Sequence, residues 1–142
     1  MLINWDVINV RGKKVNIYYS RDGGLDWKVI GRALSNNGQF NWNMPVFDTT
    51  SFSSKIKIEL SNNVRIYDVS EGDFILYGEP KIQINVPNQE SLVIEDKSNY
   101  KIVWDSKNIR ENRVNLYYSD NSGIKWKPIA IDISNKGYYD WI

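Results

Sequence analysis

Polar and apolar positions alternate with a period of two along much of the chain, which predicts strands rather than helices. From Val15 to Ser20, the residues Val15, Ile17 and Tyr19 fall on one face and Asn16, Tyr18 and Ser20 on the other. Between Lys55 and Leu60 the same rule sets Ile56, Ile58 and Leu60 against Lys55, Lys57 and Glu59. Ile82, Ile84 and Val86 form a third such face. This pattern describes antiparallel sheets with one buried face and one wet face. Turn-forming clusters separate the runs: R-D-G-G at 21–24, S-N-N-G at 35–38, S-E-G-D at 70–73 and D-N-S-G at 120–123. No segment carries a convincing amphipathic helical period. The expected class is all-β, an antiparallel β-sandwich.

The pattern also repeats. Residues 3–42 align without a gap on residues 102–141, and the offset is 99 for Trp5/Trp104, Trp27/Trp126 and Trp42/Trp141 alike. Identical pairs include Asp6/Asp105, Val15/Val114, Asn16/Asn115, Tyr18/Tyr117, Tyr19/Tyr118, Ser20/Ser119, Gly24/Gly123 and Gly38/Gly137. A period of about 100 residues fits one immunoglobulin-sized domain per unit, not a propeller blade of roughly 40 to 50. The expected modules are 1–78, lacking its first strand, and 79–142, lacking its last strands. Such a register suits a segment of a longer tandem array. The alternative is that Met1 is the natural start and a partner chain supplies edge strands, since open edges need cover.

One stretch in each unit carries a motif. Ser20, Asp22, Gly24 and Trp27 have the S-x-D-x-G-x-x-W spacing of an Asp-box, a signature familiar from sialidases and other propeller glycosidases. Gly23 and Gly24 can take positive φ, and Asp22 can accept hydrogen bonds from the backbone around the turn. The second copy keeps Ser119, Gly123 and Trp126 but carries Asn121 in place of the aspartate. An amide can close a turn but cannot replace a catalytic carboxylate. These residues are therefore expected to staple a hairpin, with Trp27 capping it against the core. A propeller would also need a much longer chain, and the arginines (Arg11, Arg21, Arg32, Arg65, Arg110 and Arg113) are scattered.

Composition narrows the chemistry further. The 142 residues contain no cysteine and no histidine, which excludes disulfides, thiol nucleophiles, histidine triads and the usual zinc ligand sets. Net charge is +1, with 18 basic and 17 acidic residues interspersed, so neither a nucleic-acid groove nor an anionic membrane surface is expected as a partner. No apolar run approaches the roughly 20 residues of a membrane span, and the first ten residues do not read as a signal peptide. Asp68, Glu71 and Asp73, with Asp48, form an acidic cluster without the D-x-D-x-D-G spacing of a calcium loop. No cofactor is expected. Tyr18 and Tyr117, beside Asn16 and Asn115 on the presumed outer face, are the candidate ligand contacts, most naturally for a glycan stacking on the tyrosine rings.

Taken together, Val15–Trp27, Asn37–Pro45, Ser54–Ile58 and Asp68–Ile75 in the first unit, with Val114–Trp126 and Asn135–Trp141 in the second, resemble a fibronectin type III-like domain. The nearest resemblance is to the family of the N-terminal domain of Ser-Thr-rich glycosylphosphatidylinositol-anchored and yeast cell-wall synthesis proteins. Similar modules occur in bacterial, archaeal and phage surface proteins. The resemblance implies tandem immunoglobulin/fibronectin type III-like antiparallel β-sandwich modules that do no covalent chemistry. The 142 residues hold no Ser/Thr-rich stalk or anchor signal, so a yeast-type wall role is not implied. The expected function is a structural or adhesive module of a surface-exposed assembly, extracellular on a cell or virion, contacting other copies or neighbouring modules. The alternative is a carbohydrate-binding accessory module of a secreted enzyme or adhesin.

Overall fold

A computed structural model describes residues 1–10, 13–90, 92–95 and 98–142. Of the residues weighed above, Arg11 lies outside them. The described residues contain no helix, and every strand pairing is antiparallel. The protein is all-β, and its several antiparallel sheets are consistent with a β-sandwich. Two compact units divide the chain, Met1–Glu79 and Pro80–Ile142. No helix among the described residues is long and apolar enough to cross a membrane.

Unit one contains β1 (Leu2–Asn4), β2 (Lys14–Ser20), β3 (Lys28–Ser35), β4 (Gln39–Asn41), β5 (Ser51–Leu60), β6 (Asn63–Val69) and β7 (Phe74–Leu76). Its main sheet runs β3-β2-β5-β6, with β7 pairing the first part of β5, and β1 pairs with β4 as a separate ribbon. Val15, Ile17 and Tyr19 of β2 face Leu60, Ile58 and Ile56 of β5 across the ladder. These residues join Ile3, Trp42, Phe47 and Leu76 in one core, where the Tyr19 ring lies 4.8 Å from Trp42 and 5.9 Å from Phe47. Apolar area removed from water in this way is the main force holding the two layers together.

Unit two contains β8 (Lys81–Val86), β9 (Tyr100–Lys107), β10 (Arg113–Tyr118), β11 (Lys127–Ser134) and β12 (Tyr138–Trp141). One sheet runs β12-β9-β8 and the other is the ribbon β10-β11. The repeat offset carries β1 to β9, β2 to β10, β3 to β11 and β4 to β12, so the units differ by what lies beside these four. Among the described residues, β9 pairs on both sides, with β12 and β8, whereas β1 pairs with β4 alone. Likewise β2 pairs on both sides, with β3 and β5, whereas β10 pairs with β11 alone. Burial follows this difference. Of the described residues, eight buried apolar ones belong to unit one, and Ile102 and Trp104 to unit two.

Two expectations from the alternation need correction. The second face of β2 is not wet: Asn16 and Ser20 are buried, as is Glu59 opposite Asn16 on β5. Conversely, Ile82 and Ile84 were assigned to a buried face but stand 58% and 56% exposed. The first case arises because hydrogen bonds satisfy polar groups away from water. The second arises because, among the described residues, no strand of unit two covers that face.

Candidate functional site

The Asp-box turn is a closed set of hydrogen bonds. Ser20 Oγ accepts from the Gly24 amide at 2.8 Å and donates to Asp22 Oδ1 at 2.6 Å. The same Oδ1 accepts from the amides of Leu25 at 3.1 Å and Asp26 at 3.0 Å. The Asp26 amide foremost, then the Ser20 hydroxyl, hold the Asp22 carboxyl below its ordinary range. Gly24 has φ +97°, and a Cβ there would meet the Trp27 ring at 3.2 Å, so glycine is required both by conformation and by the close approach of the ring. Trp27 was expected to reach the core. Its half-buried ring instead covers the turn itself.

The second turn repeats this geometry with an amide. Ser119 Oγ accepts from the Gly123 amide at 2.8 Å, and Asn121 Oδ1 accepts from Ser119 Oγ at 2.9 Å and from the Lys125 amide at 2.8 Å. One side-chain oxygen at Asp22 or Asn121 suffices. The serine hydroxyl and the amide four residues beyond Asp22 or Asn121 bond the same side-chain oxygen in both copies, while the Leu25 amide bonds Asp22 Oδ1 and its counterpart Ile124 bonds the Asn121 backbone carbonyl.

The candidate ligand contacts divide between the units. In unit one, Asn16 Oδ1 accepts from the Ala33 amide at 3.0 Å, and Asn16 Nδ2 donates to Glu59 Oε1 at 3.4 Å. Ala33 lies at φ +50°, beside a register shift in the β2–β3 ladder, and Asn16 takes the amide that the bulge frees. The Tyr18 hydroxyl donates to Glu59 Oε1 at 2.8 Å and accepts from Arg32 at 3.4 Å. Lys57 Nζ pairs with Glu59 Oε2 at 2.9 Å. Burial first, then the Glu59 hydrogen bond, raise the Tyr18 hydroxyl above its usual range. For Glu59, burial pushes the carboxyl up, but hydrogen bonds from Lys57, Tyr18 and Asn16 together outweigh it and leave the carboxyl below 4.5. Asn16 and Tyr18 are therefore engaged in joining β2 to β5 rather than presented as a surface patch.

In unit two, Asn115 Oδ1 accepts from the Asp132 amide at 2.7 Å, and Asp132 has φ +55° beside the matching register shift. The bulge is thus repeated. What lies beyond it is not: Asn115 and Tyr117 are exposed, the latter by 47%, and the Tyr117 hydroxyl has no hydrogen-bond partner among the described residues. Alongside them opens a groove of about 1000 Å³ between the two sheets. Ile82 and Ile84 of β8, Trp104 of β9 and Trp141 of β12 line it from one sheet, and Leu116 and Tyr118 of β10 from the other. The Tyr118 and Trp141 rings, 5.2 Å apart, still bridge the layers. Trp126, 62% exposed, stands at the rim.

Sequence reasoning placed Glu59, Ile82 and Ile84 on strand faces but did not single them out as site residues. The aligned repeat covers 3–42 and 102–141, so Glu59 lies outside it and the repeat could not flag it. The signal for Ile82 and Ile84 was present, as an alternating apolar face. The acidic cluster weighed for calcium is partly occupied: Asp73 pairs with Lys55 Nζ at 3.1 Å. No group of three or more Asp, Glu, His or Cys among the described residues is arranged to hold a metal ion. In comparisons with known proteins, no family model, no curated protein and no solved structure matches the chain.

Proposed function

We propose that the chain is a structural module of a larger assembly, without covalent chemistry, in which a further strand covers β10 and the groove of its second unit, whether that strand comes from the same polypeptide or from another. The two units are read as immunoglobulin/fibronectin type III-like sandwiches in tandem, the second with its face uncovered. The carrying observation is that, among the described residues, β10 pairs on one edge only, whereas its counterpart β2 pairs on both. An edge with free backbone donors and acceptors beside exposed aliphatic side chains is suited to β-strand addition. Exposed Ile82, Ile84 and Tyr117 supply the apolar contact that such addition would cover. A setting on a cell or virion surface belongs to the same reading, through the resemblance described above.

The carbohydrate alternative has its own observation: Tyr117 and Trp126 are both exposed and line the same groove. A glycan array probed with the wild-type chain and with Tyr117→Ala separates the two readings. The protein-contact reading expects no tyrosine-dependent sugar signal, together with partner cross-links that map to β8 and β10 and are lost in Ile84→Lys. Sugar binding that disappears in Tyr117→Ala would replace it with the carbohydrate reading.

A further inference from the structure

We infer that the Asn37–Gly38 peptide is a site of spontaneous covalent change, at which the Asn37 side chain closes onto the Gly38 nitrogen and reopens as aspartate or isoaspartate. It is a change that the chain itself undergoes, not a reaction on another molecule, and it does not rest on the reading of unit two. Asn37–Gly38 is the one asparagine–glycine pair in the sequence. A glycine after asparagine leaves its amide nitrogen unshielded by any side chain, so that nitrogen can approach the carboxamide carbon.

The fold presents both reacting groups. Asn37 is exposed, in the turn between β3 and β4. Its Oδ1 accepts from the Gln39 amide at 3.3 Å, which folds the carboxamide back beside the main-chain nitrogen of Gly38. The same donor faces the oxygen on which negative charge develops as that nitrogen adds to Cγ. The Gly38 amide has no hydrogen-bond partner among the described residues, whereas its carbonyl accepts from the Trp5 amide at 3.0 Å. Glycine is required at this position: φ is +89°, and a Cβ would meet the Trp5 carbonyl oxygen at 3.2 Å.

Neighbouring candidates each lack one of these features. At Asp22–Gly23, the Gly23 amide donates to the Ser53 carbonyl at 2.7 Å, and Asp22 Oδ1 is taken by three donors. Asn36 is tied to Trp5 Nε1 at 2.7 Å and to the Val10 carbonyl at 3.1 Å, and no glycine follows it. Unit two rebuilds the turn with the same bonds, Trp104 amide to Gly137 carbonyl at 3.0 Å and Trp104 Nε1 to Asn135 Oδ1 at 2.7 Å. There Lys136 stands where Asn37 does. The turn therefore needs its glycine but not its asparagine.

The step balances with water as the only co-reactant. The Gly38 nitrogen loses its proton and bonds to Asn37 Cγ, the carboxamide nitrogen leaves as ammonia, and a cyclic imide remains. Water then opens one of the two imide carbonyls, giving aspartate or isoaspartate. Either product puts a carboxylate where a neutral side chain stood. Isoaspartate also routes the main chain through the side-chain carbon, one methylene longer, beside the Trp5–Gly38 bond at the end of the β1–β4 ribbon.

The test incubates the full chain in neutral buffer and follows intact mass and peptide maps, with a synthetic peptide of the sequence Ser35–Phe40 as the unstructured reference. The expected result is a gain of about 1 Da, the difference between an amide and an acid, at a rate within about tenfold of the reference or faster. The gain should be confined to the fragment holding Asn37 and Gly38, contain both aspartate and isoaspartate, and form faster as pH rises, because the nitrogen attacks deprotonated. Asn37→Lys, which gives unit one the turn of unit two, should fold normally and gain no mass at this site. A folded chain more than about tenfold slower than the reference would overturn the inference, because the fold would then be withholding the geometry. An earlier gain at another asparagine, or a rate indifferent to pH, would overturn it as well.

Discussion

The Tyr18 hydroxyl donates to Glu59 across 2.8 Å, from β2 to β5, and its counterpart Tyr117 has no such acceptor among the described residues. Glu59 is 6% exposed and holds Asn16 and Lys57 as well. A carboxylate in that position ties three polar groups together at the join of two central strands. Glu59→Ala leaves the Tyr18 and Asn16 donors without their acceptor and is expected to cost about 1–3 kcal/mol or more. Chemical denaturation read at the unit-one transition checks this.

The same residue makes a pH prediction. Its carboxyl is held below 4.5 in the folded chain, so the unfolded chain takes up the proton more readily. The stabilisation is fully present above about pH 4.5 and is lost as pH falls through the folded value. Glu59→Gln cannot titrate. The Tm gap between the parent and Glu59→Gln is therefore expected to be widest near neutrality and to narrow below about pH 4.5. Asp22 also titrates low but is present in both proteins, so the difference curve reports Glu59. A gap that widens in acid would contradict the assignment.

At the Asp-box turn, Asn121 shows that an amide oxygen accepts two of the three bonds that Asp22 accepts. Asp22→Asn is therefore expected to leave Tm within measurement error, whereas Asp22→Ala should lower it clearly. Gly24→Ala should cost about 1–2 kcal/mol for the left-handed backbone alone, with a further penalty from the Trp27 ring. Thermal melts of the three variants check the set. A loss on Asp22→Asn equal to that on Asp22→Ala would show that charge, not geometry, is what the turn uses.

Core truncations should separate the units. Ile17 is fully buried between β3 and β5, and Ile17→Ala is expected to cost about 2–5 kcal/mol. Leu116, at the equivalent position, is only half-buried on the wall of an open groove, so Leu116→Ala should cost distinctly less. Equal losses would mean that the groove is closed in solution.

The strands, the turns and the repeat were legible in the sequence because each leaves a local mark: alternation, glycine and asparagine clusters, or a constant offset. Burial was less legible. Alternation correctly put Val15, Ile17 and Tyr19 inward, but the inference that Asn16 and Glu59 face water assumed that polar means wet. Their burial depends on one another, across 43 residues of chain, and no local pattern records such a pair. The bulge at Ala33 was hidden for a similar reason, since its positive φ is supported by Asn16 on the neighbouring strand. Ile82 and Ile84 show the converse. Their spacing identifies a face that needs cover, but whether cover is present is a property of the whole unit. Tyr18 and Tyr117 stand in nearly the same sequence context, V-N-I-Y-Y-S and V-N-L-Y-Y-S, and differ in what lies beside them.

Amide hydrogen exchange on the chain alone measures that difference most directly, by comparing Lys14–Ser20 of β2 with Arg113–Ser119 of β10. An acceptor edge at β10 requires that β2 be protected along both ladders, while β10 exchanges fast at the amides that do not bond to β11. Equal protection of the two strands would show that β10 is already paired and would contradict the proposed role of unit two.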